Sequence, residues 1–189
     1  MAEQITGRDA VLAALLAGEP IQMVLVDRDK DTSDIRDTCE KLGILLEEGS
    51  TNDLWRMSAE GFVDALALTG RIPNGDLNQI LERGGTIWFF DGVTYSTNLG
   101  FAIRCAEVSG ADAVVLNVAK THEERRTIRR SSMRADRFIP VVYSTTEEIL
   151  DGAKANNIRI IAVEDVGSHE PWDEDLTGDV MLVVGAEKE

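Results

Sequence analysis

The chain has 189 residues, 34 of them acidic and 19 basic, which gives a formal net charge of −15 with a 43% hydrophobic share. That length suits one large domain or two small ones, and the apolar share is enough for an ordinary core. The negative balance excludes indiscriminate phosphate binding over the whole surface, while leaving room for a local basic stripe that contacts nucleic acid.

No run is long and apolar enough to span a bilayer, and the start, MAEQITGRD, has no signal-peptide pattern. A cytoplasmic protein without a membrane partner is therefore expected. Cys39 and Cys105 form no CxxC pair and read as two reduced thiols in or near the core. His122 and His169 are isolated, with no metal-ligand spacing around them, so no metal is expected.

In chain order, GRDAVLAALLAG predicts a helix with an apolar face and Gly18 as its stop. IQMVLVD is a strand, and Asp27 to Ser33 a charged loop. SDIRDTCEKLG is an amphipathic helix with Ser33 as N-cap and Gly43 as stop. ILLEEG is a short strand, and TNDLWRMS begins another helical turn. This α-β-α-β order suggests a small α/β module over residues 1–58. Residues 59–76 read as a linker, with Pro73, Asn74, Gly75 and Asp76 as turn formers at the boundary.

Residues 77–189 alternate cleanly. LNQILERG, Asn98 to Ser109, Glu123 to Arg134 and TEEILDGAKANN are helices. TIWFFD, DAVVLN, FIPVVYS, IRIIAVED and DVMLVVGAE are strands. Continuous apolar strands separated by amphipathic helices imply an α/β fold with a mostly parallel sheet covered on both faces. TIWFFDGVTYSTNLG contains no G-x-G-x-x-G, so the usual dinucleotide fingerprint is absent.

Candidate chemistry concentrates in Asp91 to Asn117, DGVTYSTNLGFAIRCAEVSGADAVVLN, where a buried strand gives way to a loop and a helix. Strand-to-helix junctions of this kind are common ligand sites in α/β proteins. Asn98 caps the helix, borders a pocket, or does both. Arg104 lies about 9 Å further along the axis. Its neighbours Ala102, Ile103, Cys105 and Ala106 are apolar or small, so the helix reads as largely buried, and Arg104 is a surface residue, pairs with Glu107 or meets a ligand.

A second concentration, KTHEERRTIRRSSMRADR, holds Arg125, Arg126, Arg129, Arg130 and Arg134 at helical spacings. They form either a phosphate-tracking stripe or a solvated face paired with Glu123, Glu124 and Asp136.

These stretches resemble the motifs of the SpoU branch of the SPOUT RNA methyltransferases. Asp91, Gly92, Val93, Asn98, Leu99, Gly100, Ile103, Arg104, Ala106 and Gly110 fall in register with D-G-V-x-D-P-x-N-L-G-x-I-x-R-x-A-x-x-F-G. The motif's Asp-Pro is replaced here within Tyr95-Ser96-Thr97. Arg130, Ser132, Ala135, Pro140 and Val141 match R-x-S-x-G-A followed by P-V, with Arg134 in place of the glycine. Gly185, Ala186 and Glu187 match the start of G-S-E-G-x-G. The third motif, an I-P-M loop and an S-L-N-V-S-x-A helix, has no counterpart, so the resemblance implies a SPOUT-type catalytic domain incomplete before its knot. Gly7, Ala10, Val11 and Leu15 are similar to the opening of the RNA-binding module that precedes many SpoU domains. A His-Gln-Gly common in the family linker is represented only by Glu60-Gly61.

The resemblance implies an S-adenosylmethionine-dependent RNA ribose 2′-O-methyltransferase acting on ribosomal RNA, as a homodimer. The alternative is a non-catalytic RNA-binding or assembly protein of the same descent. Asn98, Arg104 and Glu187 would be the catalytic residues, and Gly185, Ala186 and Glu187 would line the cofactor site. Arg125, Arg126, Arg129, Arg130 and Arg134 would contact RNA.

Overall fold

The run IQMVLVD forms an interior strand of the first of two units into which the chain divides, Met1–Pro73 and Asn74–Glu189. The computed structural model describes residues 3–186. The first unit runs β1 (Glu3–Thr6), α1 (Arg8–Ala17), β2 (Ile21–Asp27), α2 (Ser33–Leu42), β3 (Leu45–Gly49), α3 (Thr51–Met57) and β4 (Ala65–Thr69). Its sheet has the order β1-β4-β2-β3. Here β4 is antiparallel to both neighbours, and β2 is parallel to β3.

One face of this sheet, with Val24, Val26, Ala65 and Ala67, packs on Val11 and Leu15 of α1 and on Ile35 and Cys39 of α2. Full burial of each such leucine or isoleucine stabilises the unit by about 1.5–3 kcal/mol relative to exposure. The α2 helix starts one residue away from expectation: Thr32 is the N-cap position and Ser33 the first helical residue.

Residues 59–76 are not simply a linker, because they contain β4, an interior strand, and the unit boundary falls between Pro73 and Asn74. ALALT lacks the β-branched and aromatic residues that favour strands until Thr69. Its conformation comes from the two ladders on either side of it. The strand β1, EQIT, is too short to read from the sequence and is held by its pairing with β4.

The second unit runs α4 (Leu77–Arg83), β5 (Thr86–Asp91), α5 (Ser96–Ser109), β6 (Ala113–Leu116), α6 (His122–Ser131), β7 (Val141–Tyr143), α7 (Thr146–Ala155), β8 (Arg159–Val163) and β9 (Val180–Gly185). Short 3-10 turns occupy Ala135–Arg137 and Pro171–Asp173. All five strands are parallel, in the order β7-β6-β5-β9-β8.

The pleat of β5 divides the core. Ile87 and Phe89 face α4 and α7 through Ile80, Leu81, Ile149 and Ala153. Trp88 and Phe90 face α5 and α6 through Leu99, Ile103 and Ile128. The sheet is parallel and its central strands are covered on both faces as the apolar runs imply, while edge strand β8 is largely exposed.

Helices α5 and α6 meet at Gly100, where an added Cβ would lie 2.7 Å from the Ile128 carbonyl oxygen. Only glycine permits that approach. The expected helix to Arg134 ends earlier, at Ser131. Met133 and Arg134 then take the left-handed conformation, with φ of 53° and 71°.

Candidate active site at the carboxyl edge of the parallel sheet

Parallel strands bring all their carboxyl ends to one edge. From β5 the chain winds outward through β6 to β7, while β9 and β8 lie on the other side. The crevice of such a sheet opens where the winding reverses, here between the ends of β5 and β9. Asp91 and Gly185 are register partners there, and the Ala186 amide donates to the Asp91 carbonyl at 2.9 Å.

Gly92 follows with φ of 71°. A Cβ at Gly185 would meet nothing nearer than the Glu164 carboxylate at 3.8 Å, so a ligand can approach this backbone closely. Glu187 lies outside the described residues.

The loop from β5 to α5 is fastened from the connection between β6 and α6. The Gly92 amide donates to Asn117 Oδ1 at 2.8 Å. Asn117 Nδ2 donates to the Asp91 carboxylate and, at 2.8 Å, to Thr146 Oγ1 at the start of α7. Lys120 is buried, and its ammonium donates to the Thr94 carbonyl and sits 3.7 Å from Glu124 Oε1. Glu124 also closes the capping box of α6, accepting from the Thr121 amide at 2.8 Å. That backbone bond, followed by the Thr121 hydroxyl, holds its carboxyl below the ordinary range.

Asn98 and Arg104 are both exposed, and neither forms a hydrogen bond or ion pair among the described residues. Asn98 is not the cap of α5: the helix starts at Ser96, and the N-cap, Tyr95, offers no side-chain bond. Asn98 therefore points outward from the first turn with its amide uncommitted. The expectation of a largely buried helix around Arg104 also fails. Leu99, Ile103 and Ala106 face inward, while Arg104 and Cys105 face solvent. Cys105 is correspondingly an exposed thiol; only Cys39 is buried, and burial pushes its thiol up. A helical step of about 100° puts Asn98 and Arg104 roughly 120° apart around the axis, so they share no single face.

The arginine cluster is divided. Arg125, Arg126, Arg129 and Arg130 are exposed on α6. Arg125 is already used: its guanidinium lies 4.4 Å from the centre of the Tyr143 ring and donates to the Lys120 carbonyl at 3.2 Å. Burial raises the Tyr143 hydroxyl above its ordinary range, and Arg125 pulls it back. Arg129 pairs with Asp136 at 3.6 Å. Arg126 and Arg130 have no partner among the described residues. Arg134 sits beyond the helix and half-buried, so it does not extend the stripe at helical spacing.

Sequence reasoning missed Asn117 and Lys120. An amide at the end of an apolar strand was a signal for Asn117. Lys120 lay inside a charged run, which gave no sign of burial.

A model of the SpoU rRNA methylase family matches residues 86–189. The chain belongs to the SpoU rRNA methylase family. Among curated SpoU relatives, the 23S rRNA (guanosine-2′-O-)-methyltransferase RlmB of Haemophilus ducreyi is 28% identical over 204 residues, spanning 99% of this chain and 81% of that protein. The RlmB of Photobacterium profundum is 26% identical over 199 residues, again covering 99% and 81%.

Two crystal structures share the fold. The SpoU methyltransferase AviRb from Streptomyces viridochromogenes superposes with a TM-score of 0.53 at 20% identity, covering 97% of this chain and 72% of its own. An rRNA methyltransferase from Sinorhizobium meliloti gives 0.52 at 19%, covering 97% and 70%. The SpoU match spans β5 through β9, the strands that build the edge described above. No group of side chains suited to a metal ion occurs among the described residues. No helix among them is long and apolar enough to cross a membrane.

Proposed function

We propose that this SpoU-family chain is an S-adenosylmethionine-dependent RNA ribose 2′-O-methyltransferase with ribosomal RNA as its substrate class. The observation that carries the reading is the family match over residues 86–189, which spans all five strands of the parallel sheet. RlmB relatives named for guanosine 2′-O-methylation of 23S rRNA align with nearly the whole chain. AviRb has been crystallised with S-adenosylmethionine.

The open backbone at Gly185 leaves room for the cofactor to approach, so Gly185, Ala186 and Glu187 would hold it. When bound, S-adenosylmethionine supplies an electrophilic methyl group. The protein's task is then positional: to hold the ribose 2′-oxygen in line and to stabilise the charge that develops on it.

Arg104 is assigned the second role. A guanidinium stays protonated in proteins, so it is a poor base but a good clamp for phosphate and alkoxide. Its exposure, without a partner among the described residues, leaves its donors for substrate. Asn98, uncommitted in the first turn of α5, orients the ribose, and Glu187 contacts cofactor or substrate at the mouth.

Arg126 and Arg130 are the principal phosphate contacts, with Arg129, Arg125 and Arg134 flanking them. The 1–58 segment completes its fold only with β4 and is assigned to RNA binding. A homodimer is proposed through the exposed face of α5, where Phe101, Cys105 and Val108 stand outward at helical spacing.

The test is methyl transfer from labelled S-adenosylmethionine to a 23S rRNA transcript. The expected product is a 2′-O-methylated nucleoside. Arg104→Ala is expected to lower turnover by about 100-fold or more while the circular dichroism spectrum stays unchanged. Near-normal turnover would remove Arg104 from the mechanism, and RNA binding without cofactor binding would favour a non-catalytic role.

A further inference from the structure

The five residues from Asp91 to Tyr95 must deliver Asn98 and the start of α5 to the crevice, yet little within the loop fixes it. Gly92 is in the left-handed region, Thr94 and Tyr95 are exposed, and the N-cap makes no side-chain bond. The motif that this stretch resembles places Asp-Pro at the N-cap and first helical positions, which suits both: Asp accepts from the first turn and Pro presets φ. Here Tyr95 and Ser96 occupy those positions.

What fixes the loop comes from the next strand-helix junction. Asn117 accepts from the Gly92 amide at 2.8 Å and donates to the Asp91 carboxylate, and Lys120 donates to the Thr94 carbonyl. Both are themselves anchored, Asn117 by Thr146 Oγ1 at 2.8 Å and Lys120 by Glu124 at 3.7 Å. An amide suits position 117 because it accepts and donates at once; a carboxylate there could only accept and would face Asp91. Lys120 brings three donors on a buried stem to a carbonyl that has no strand partner.

Resting on the proposed activity, we infer that Asn117 and Lys120 are positioning residues for methyl transfer. They hold the Asp91–Tyr95 loop from the connection between β6 and α6, and so set the placement of Asn98 and Arg104 in place of the missing helix cap. Neither touches substrate or cofactor. A small misplacement of a reacting group is enough to cost about 100-fold in rate.

The experiment uses the full chain and the 23S rRNA transcript, with Asn117→Ala, Lys120→Met, and Lys120→Met combined with Tyr95→Asp and Ser96→Pro. Each single variant is expected to lose about 10- to 100-fold in kcat with KM for RNA within about threefold. Restoring the cap in the Lys120→Met background is expected to recover about tenfold of that loss, and urea midpoints measured alongside separate a loosened loop from a general loss of stability. Amide exchange read in parallel is expected to accelerate at residues 92–95 and not in β5 or β6.

Unchanged exchange in the loop would overturn the clamp. A loosened loop with normal kcat would overturn its positioning role. If the parent chain transfers no methyl group, the proposed activity falls and the positioning role falls with it, while the exchange measurement still decides whether Asn117 and Lys120 hold the loop.

Discussion

Gly100 is the residue on which the packing of the second unit turns most sharply. It lies on the buried side of α5, and a methyl group there would be driven to 2.7 Å from a backbone carbonyl of α6, which cannot rotate away as a side chain can. Gly100→Ala raises helix propensity by about 1 kcal/mol, but overpacking of this kind costs about 1–3 kcal/mol. The net expectation is a lowered urea midpoint with an unchanged slope; a raised midpoint would show that α5 and α6 separate easily. The sequence marked Gly100 through the motif, without its reason, because close helix approach is a property of two elements. The environment of Arg104 differs from the one expected. Its neighbours are apolar by composition, yet the 3.6-residue period puts Leu99, Ile103 and Ala106 inside and leaves Arg104 out. Asn117 and Lys120 act on residues 26 positions away, a separation that no local pattern encodes.

Among the elements, α5 starts badly and the other site helices start well. Both α6 and α7 open on capping boxes, Thr121 with Glu124 and Thr145 with Glu148. The α5 cap is Tyr95, 67% exposed, so replacing its side chain forfeits little packing. Tyr95→Asp is expected to stabilise the unit by about 0.5–2 kcal/mol, through an accepted amide bond and a favourable charge at the helix N-terminus. Urea denaturation checks it, and no gain would mean that the loop cannot bring a side chain at 95 over the first turn. Most helices and all strands of the second unit were legible, because buried parallel strands read as unbroken apolar runs. The strand β4 was not: its alanines carry no strand preference, and its structure comes from its neighbours.

For the molecule as a whole, the charge of −15 sets the terms of any encounter with RNA. Only a concentrated basic face can offset that repulsion, and the guanidinium groups on α6 without a partner among the described residues belong to Arg126 and Arg130. Replacing both by Ala is expected to weaken RNA binding across sequences alike. The slope of log affinity against log salt should fall by about 0.7 for each single-strand phosphate that the protein ceases to neutralise. A slope that stays the same would place the RNA elsewhere on the protein.

The strand orders have a bearing on how the chain is made. In the first unit β4 is synthesised last and enters between β1 and β2; in the second, β9 follows β8 and enters between it and β5. Neither sheet can grow outward from a finished edge. Until its closing strand emerges, each unit holds a partial sheet and a lone strand with bare hydrogen-bonding margins, the condition under which strands pair with strangers. Each therefore depends on a late, long-range closure, which makes for slow folding and a dangerous interval before it ends.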